Sequence, residues 1–118
     1  IEQCRYSWEQ LHKDTGFGTE DVTRRLVDYG MEHYWQSHHP HIVPEPFTLE
    51  PTDSYSKEDI DEFVAVLEQI SRECYENPEI IRTAPHNAPC HVIKNYYEHD
   101  PEKVICTWRQ YKRRKGMA

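Results

Sequence analysis

The clearest pattern in the chain is an apolar stripe at helical spacing between residues 60 and 74. Its members recur every three or four residues, as one face of an amphipathic helix requires; they are Ile60, Phe63, Val64, Leu67, Ile70 and Cys74. Ser56 and Asp59 form an approximate capping box before the stripe, and Asn77 and Pro78 end it. We therefore predict one long helix with a buried face.

The opposite face of this helix is acidic. It carries Glu58, Asp61, Glu62, Glu68, Glu73 and Glu76. A row of like charges on a helix is typical of a face in contact with solvent. We expect all of these carboxylates to be hydrated.

Two shorter segments have the character of strands. In residues 4–8 the side chains of Cys4, Tyr6 and Trp8 share one side, which predicts a half-buried strand. Residues 47–50 predict a second strand. Residues 31–46, directly before the second strand, are predicted to form an irregular loop, because they lose the helical period and contain three prolines.

A shorter helix is predicted between the two strands. The segment HKDTGFG, residues 12–18, has the composition of a turn. Thr19 is expected to cap a helix over residues 19–29, and Gly30 sits where helices commonly end in a left-handed residue.

The C-terminal part is predicted to contain two more helical segments. A short turn of helix begins at Pro78, and residues 83–90 then form a loop. Asp100 and Pro101 have the character of a cap and a first helical residue, and the helix after them ends in the basic run KRRKG.

This order of elements implies an α+β fold, in which helices cover one face of a small sheet. A length of 118 residues suits one domain. We expect residues 1–89 to form the α+β core and residues 90–118 to form a tail with the C-terminal helix. The chain begins at Ile1 without an initiator methionine, which suggests a fragment or a processed product.

Charge and composition exclude several classes of function. The chain has 14 Lys and Arg residues against 21 Asp and Glu residues, a formal net charge of −7, which argues against general nucleic-acid binding. The basic run near the C-terminus is explained by the negative end of a helix dipole or by an acidic partner. No apolar run is long enough to span a membrane, and the first residues lack a signal-peptide core.

The four cysteines contain no C-x-x-C pair, so they predict neither a zinc site nor a redox motif. They are scattered as small apolar residues would be. We expect reduced thiols and a cytoplasmic protein.

The irregular loop is the first place to look for chemistry, since it holds His33, His38, His39 and His41. Their spacing does not suit a compact metal site, so no metal is expected. Covalent catalysis is also unsupported, because the chain has no nucleophile elbow and no phosphate-binding glycine loop. A self-contained enzyme is therefore not expected.

Three blocks of sequence resemble one known family. They are TEDVTRRLVDYG (residues 19–30), IVPEPFTLEPTDSYSKEDIDEF (residues 42–63) and ENPEIIRTAPHNAP (residues 76–89). In order and spacing they are similar to the C-terminal domain of the pyridoxal-phosphate-dependent glycine decarboxylase, the P-protein of the glycine cleavage system. The tail WRQYKRRKG resembles the second subunit of the two-chain form found in many prokaryotes.

The resemblance implies the small C-terminal domain of an aspartate-aminotransferase-like enzyme. The parent reaction would be glycine decarboxylation with aminomethyl transfer to the lipoyl group of the H-protein. It implies as partners the large pyridoxal-phosphate domain, a partner subunit and the lipoylated H-protein. None of the lysines lies in a setting typical of a Schiff-base lysine, so we expect the isolated chain to bind no cofactor and to be inactive; these are Lys13, Lys57, Lys94, Lys103, Lys112 and Lys115.

The resemblance also points to four histidines at the edge of the parent's active site: His33, His38, His39 and His86. Family members usually carry a histidine soon after the DYG motif. Here the sequence DYGMEHYWQSHHP places the nearest histidine one residue later and lengthens the loop, which leaves His33, His38 and His39 open as its equivalent.

A second interpretation is a free-standing interaction or regulatory module with the same α+β scaffold. Its support is charge segregation, because residues 50–79 are strongly acidic while the C-terminal run is basic. Complementary patches of this kind can build an association surface.

Overall fold

A computed structural model describes residues 4–32, 37, 41–89 and 107–117. The described elements, in chain order, are β1 (Cys4–Ser7), α1 (Glu9–Thr15), α2 (Thr19–Asp28), β2 (Pro46–Leu49), α3 (Lys57–Glu76), α4 (Pro78–Arg82) and α5 (Trp108–Arg114). The strands form a two-stranded sheet. The predicted α+β class is confirmed.

The strands β1 and β2 pair antiparallel, with Tyr6 opposite Phe47. Both predicted strands are present, but the predicted burial of β1 is wrong. All four β1 residues are exposed, and Tyr6 keeps 54% of its surface in contact with solvent. The reason is that the helical core reaches the sheet through β2, where Phe47 is only 1% exposed. Trp8 lies beyond the strand and packs its ring against Phe47 at a centroid distance of 6.2 Å.

The predicted turn over residues 12–18 is wrong in its first half. Residues 12–15 belong to α1, and the chain turns only at residues 16–18. Gly16 ends α1 at φ +79°, and its N–H donates to the carbonyl of His12 at 2.8 Å. The helix escapes a periodicity search because Leu11 is its only buried residue.

Helix α2 begins at Thr19, but Gly18 and not Thr19 is its N-cap, so the predicted cap is wrong. The N–H of Gly18 donates to the carboxylate of Asp21 at 2.9 Å, and the N–H of Thr19 donates to the carboxylate of Glu45 at 2.8 Å. A Cβ on Gly18 would stand 2.1 Å from that Glu45 carboxylate, so a larger residue there would displace the carboxylate from the N–H of Thr19. Two N–H groups at the start of α2, which have no partner within the helix, are therefore bound by carboxylates, one from α2 itself and one from the loop before β2.

The end of α2 agrees with the prediction. Gly30 adopts φ +74°. Its N–H donates to the carbonyl of Val27 at 3.1 Å, and the N–H of Met31 donates to the carbonyl of Leu26 at 3.1 Å. This pair of bonds is the Schellman motif, which satisfies two of the last carbonyls of a helix.

Helix α3 has the predicted bounds and the predicted capping box. The Ser56 hydroxyl accepts from the N–H of Asp59 at 3.1 Å, and the Asp59 carboxylate accepts from the N–H of Ser56 at 2.8 Å. The apolar stripe is buried only toward its C-terminal end. Ile70 and Cys74 are fully buried, whereas Ile60 keeps 41% of its surface exposed.

The core lies where α1, α2, α3 and α4 meet β2. Its buried members are Leu11, Phe17, Val22, Leu26, Phe47, Ile70, Cys74 and Ile81. Cys74 is a free thiol, and burial, with smaller contributions from Asp21 and Glu73, raises its pKa to about 11. Cys4 is also free but exposed, while Cys90 and Cys106 lie outside the described residues.

The short helix predicted at Pro78 is confirmed as α4. Helix α5 has Thr107 as its N-cap, and the Thr107 hydroxyl accepts from the N–H of Gln110 at 3.1 Å. The start predicted at Asp100 and Pro101 lies outside the described residues. Within the described ranges, no helix is both long and apolar enough to cross a membrane.

Candidate functional site

A cluster of buried charges joins α2 to α3. The Arg25 guanidinium donates through Nε to Glu73 at 2.8 Å and through Nη1 to Asp28 at 2.8 Å. The Tyr29 hydroxyl donates to the same Glu73 carboxylate, and its ring lies 4.9 Å from the guanidinium carbon. The side chains of Arg25, Asp28 and Glu73 are only 10%, 2% and 12% exposed, so these interactions are largely shielded from water.

Both carboxyls of this cluster are held ionised. Burial opposes ionisation of Asp28, but the N–H groups of Asn87 and His86 and the guanidinium of Arg25 outweigh it and lower the pKa. Burial likewise opposes ionisation of Glu73, and its bonds to Arg25, Tyr29 and Gln69 outweigh it and lower that pKa as well. The hydrogen bond to Glu73, rather than burial, dominates at Arg25 and raises its pKa.

The same cluster fixes the loop that carries His86. One carboxylate oxygen of Asp28 accepts from the N–H groups of both His86 and Asn87, the latter at 2.7 Å. The Asn87 side-chain amide donates back to the Asp28 carbonyl at 3.1 Å. The first and third sequence blocks that carry the family resemblance therefore meet at Asp28.

The imidazole of His86 lies over the end of α4. Its Nε2 is 3.0 Å from the carbonyl oxygen of Ile80 and 3.3 Å from the Thr83 hydroxyl. A carbonyl oxygen only accepts, so Nε2 must carry the proton and donate. His86 is exposed, and the hydrogen bonds of its ring in the described part of the chain are made by Nε2.

A second feature is an open groove of about 580 Å³ between the sheet and the first half of α3. Its apolar lining includes Tyr6, Tyr55, Ile60 and Val64, which are 54%, 48%, 41% and 46% exposed. A second apolar surface packed on these four side chains would remove them from water.

The polar part of the groove has one sign of charge. It contributes Glu32, Glu50, Asp59 and Glu62, and no Lys or Arg stands among the described residues that line it. The groove therefore suits an apolar segment with basic flanks.

Of the four predicted site histidines, the structure describes His86 alone. His33, His38 and His39 lie outside the described residues. The neighbouring His41 is exposed, with Nε2 3.1 Å from the carbonyl of Ser37. Among the residues that the structure describes, no group of three or more His, Cys, Asp or Glu side chains is placed to hold a metal ion.

The charged cluster was missed by sequence reasoning, and for Glu73 the prediction was wrong. The sequence pattern places Glu73 on the solvated face of the long helix, yet its side chain is nearly buried. Its position between the stripe residues Ile70 and Cys74, three residues after one and one before the other, was the available signal. Nothing in the local sequence identified Arg25 as its partner, 48 residues away.

Comparison with known proteins identifies the family. Residues 3–91 match the family described as glycine dehydrogenase, C-terminal domain. The chain is 41% identical over 107 residues to the probable glycine dehydrogenase (decarboxylating) subunit 2 of Pyrococcus horikoshii, and 42% identical over 107 residues to that of Pyrococcus furiosus. It is 35% identical over 103 residues to the corresponding protein of Thermotoga maritima.

These alignments cover 91%, 91% and 87% of this chain but only 21% of each relative. The chain thus spans about a fifth of the length of the proteins that it matches. Because the family match covers most of the chain and the relatives agree with it, the chain belongs to the glycine dehydrogenase C-terminal domain family.

Proposed function

We propose that this chain works as the C-terminal domain of a glycine decarboxylase subunit, with residues 1–89 as its core and 90–118 as its tail. The whole enzyme would act in the cytoplasm, together with a partner subunit and the lipoylated H-protein. The observation that carries the proposal is the convergence of the family's sequence blocks on one buried cluster, where Asp28 of the first block binds the His86 loop of the third. The family match favours this function over a free-standing interaction module.

The described residues do not fit a pyridoxal phosphate site. That cofactor requires a lysine amine to form its Schiff base. Of the described lysines, Lys13 and Lys57 are exposed and pair with Glu9 and Asp61 of their own helices. Lys112 and Lys115 lie in the last turn of α5 and at its C-cap, within the basic run. The cofactor would therefore be held by the remainder of the subunit, and this chain would contribute surfaces around it.

The groove is the surface proposed to meet that remainder. The relatives carry about four fifths of their length outside the aligned region, and the groove is lined largely by the second family block, including Ile60 and Tyr55. A lining of apolar and acidic side chains fits a segment of the preceding domain that is apolar and flanked by Lys or Arg.

The test is glycine decarboxylation by the complete subunit assembled with its partner subunit, pyridoxal phosphate and lipoylated H-protein. Ile60→Asp places a charge in the groove and is expected to lower the rate at least tenfold, because docking of the domain is weakened. Lys57→Ala lies on the exposed side of the same helix and serves as the matched control, with an unchanged rate.

Two controls make the test decisive. The isolated Ile60→Asp chain should stay folded and melt only a few degrees below the wild type, since Ile60 is already 41% exposed. The isolated chain mixed with pyridoxal phosphate should show no imine absorbance. A full rate in the Ile60→Asp enzyme, or a stoichiometric imine band on the isolated chain, would contradict the proposal.

A further inference from the structure

His86 is held by two hydrogen bonds, one made by its backbone and one made by its ring. Asp28 accepts hydrogen bonds from the backbone of residues 86 and 87, which fixes the position of the loop. The Ile80 carbonyl accepts from Nε2 at 3.0 Å, which fixes the rotation of the ring. The side chain nevertheless lies on the surface.

The contact between Nε2 and the Ile80 carbonyl determines which ring nitrogen is left as the acceptor. A neutral imidazole has one donor nitrogen and one acceptor nitrogen. With Nε2 committed as the donor to Ile80, Nδ1 is the acceptor. Within the described part of the chain, Nδ1 makes no hydrogen bond.

Asp28 can fix the loop because it is itself immobilised. Its second carboxylate oxygen binds the Arg25 guanidinium at 2.8 Å, and Arg25 is locked in turn by Glu73 of α3. A carboxylate that is 2% exposed and bound on both oxygens has little freedom to move. The packing of α2 on α3 therefore determines the position of the His86 loop.

We propose that Asp28 is a positioning residue that presents Nδ1 of His86 as a fixed hydrogen-bond acceptor at the surface of this domain. This rests on the proposed function, because the complementary group comes from the rest of the enzyme. The recognised chemistry is an N–H or O–H donor, either on the amino-acid substrate or on the facing protein surface. Preorganising the acceptor lowers the cost of making that bond.

The positioning is tested on the 118-residue chain by NMR of ¹⁵N-labelled histidine, at a pH well above the usual imidazole pKa of about 6.5. His86 should show a protonated, slowly exchanging Nε2 and an unprotonated Nδ1. Asp28→Ala should lose the slow exchange of the Nε2 proton and of the residue 86 and 87 amides. Asp61→Ala, an exposed carboxylate on α3, is the control and should leave them unchanged.

Should Asp28→Ala fail to fold, Asp28→Asn keeps the side-chain volume while removing the charge, and it should shorten the lifetime of the Nε2 proton. A dominant Nδ1–H form in the wild-type chain would overturn the proposal. So would an unchanged Nε2 lifetime in the folded Asp28 variants.

The use of Nδ1 is tested in the complete enzyme. His86→Asn retains a polar side-chain oxygen near the position of Nδ1, whereas His86→Gln retains a polar group near Nε2 only. The Gln variant should lose about tenfold either in kcat/KM for glycine or in affinity for the partner subunit, as expected for one hydrogen bond. The Asn variant should recover most of that loss. Equal behaviour of the two variants would contradict the proposal.

The quantity that changes identifies the donor. A fall in kcat/KM for glycine with unchanged subunit affinity places the donor on the substrate. A fall in subunit affinity places it on the facing protein surface. A wild-type enzyme that does not decarboxylate glycine would refute the proposed function while leaving the NMR result on Asp28 intact, so the two failures are distinguishable.

Discussion

The two halves of α3 share one apolar stripe but have different environments. In residues 67–76 the stripe packs into the core, and Ile70 and Cys74 are buried. In residues 57–66 it lines the open groove, and Ile60 and Val64 keep nearly half of their surface exposed. Helical periodicity predicts which face of a helix is apolar, but it does not predict which element covers that face.

The charges on α3 differ in the same way. Glu73 in the second half forms a shielded ion pair with Arg25 of α2. Asp61 in the first half pairs with Lys57 within the same helix, and their side chains are 63% and 80% exposed. Glu73 therefore links two helices, whereas Asp61 forms an exposed pair within one helix.

The largest expected effect comes from breaking the shielded ion pair. Arg25→Ala leaves Glu73 and Asp28 buried without their cation, which should lower the free energy of unfolding by about 4 kcal/mol. The matched change in the first half, Lys57→Ala, removes a solvent-exposed pair and should cost less than about 0.5 kcal/mol. Urea denaturation followed by circular dichroism measures both; similar losses in the two variants would show that the halves do not differ.

The next effect concerns the apolar stripe. Ile70→Ala opens a cavity in the core and should lower the free energy of unfolding by about 3 kcal/mol. Ile60→Ala removes a side chain that is already 41% exposed and should cost less than about 1 kcal/mol in the isolated chain. Thermal unfolding of the two variants side by side provides the measurement, and an Ile60 cost as large as that of Ile70 would refute the difference in burial.

The smallest effect is a dependence on pH. The pKa values of Asp28 and Glu73 are lower in the folded chain than in the unfolded chain, where they are about 3.9 and 4.3. Their stabilisation is therefore complete above about pH 4 to 5 and is lost as the pH falls through the lower folded values. Asp28→Asn should flatten the acid limb of stability measured against pH; an identical limb in the variant would exclude Asp28 as a source.

The features that sequence predicted are those decided by neighbouring residues. The Ser56 cap, the left-handed Gly30 and the start of α4 at Pro78 depend on groups within a few positions, so local chemistry was sufficient. Helix α1 was missed because only Leu11 of its seven residues is buried and no stripe is visible.

The candidate site depended on pairs far apart in the chain. Arg25 and Glu73 are 48 residues apart, and Asp28 and His86 are 58 apart. Composition and periodicity contain no information about such pairs. The family resemblance proposes His86 as a candidate, but the carboxylate that fixes its loop is visible only in the packed helices.

The contact between the groove and the rest of the subunit is tested most directly by hydrogen–deuterium exchange along α3. In the isolated chain, amides of residues 57–66 should exchange faster than those of residues 67–76, because the fully buried residues of α3 lie in the second half. In the complete subunit, docking should slow residues 57–66 to the level of residues 67–76. Equal exchange of residues 57–66 in the isolated chain and in the complete subunit would contradict the assignment of the groove as the docking surface.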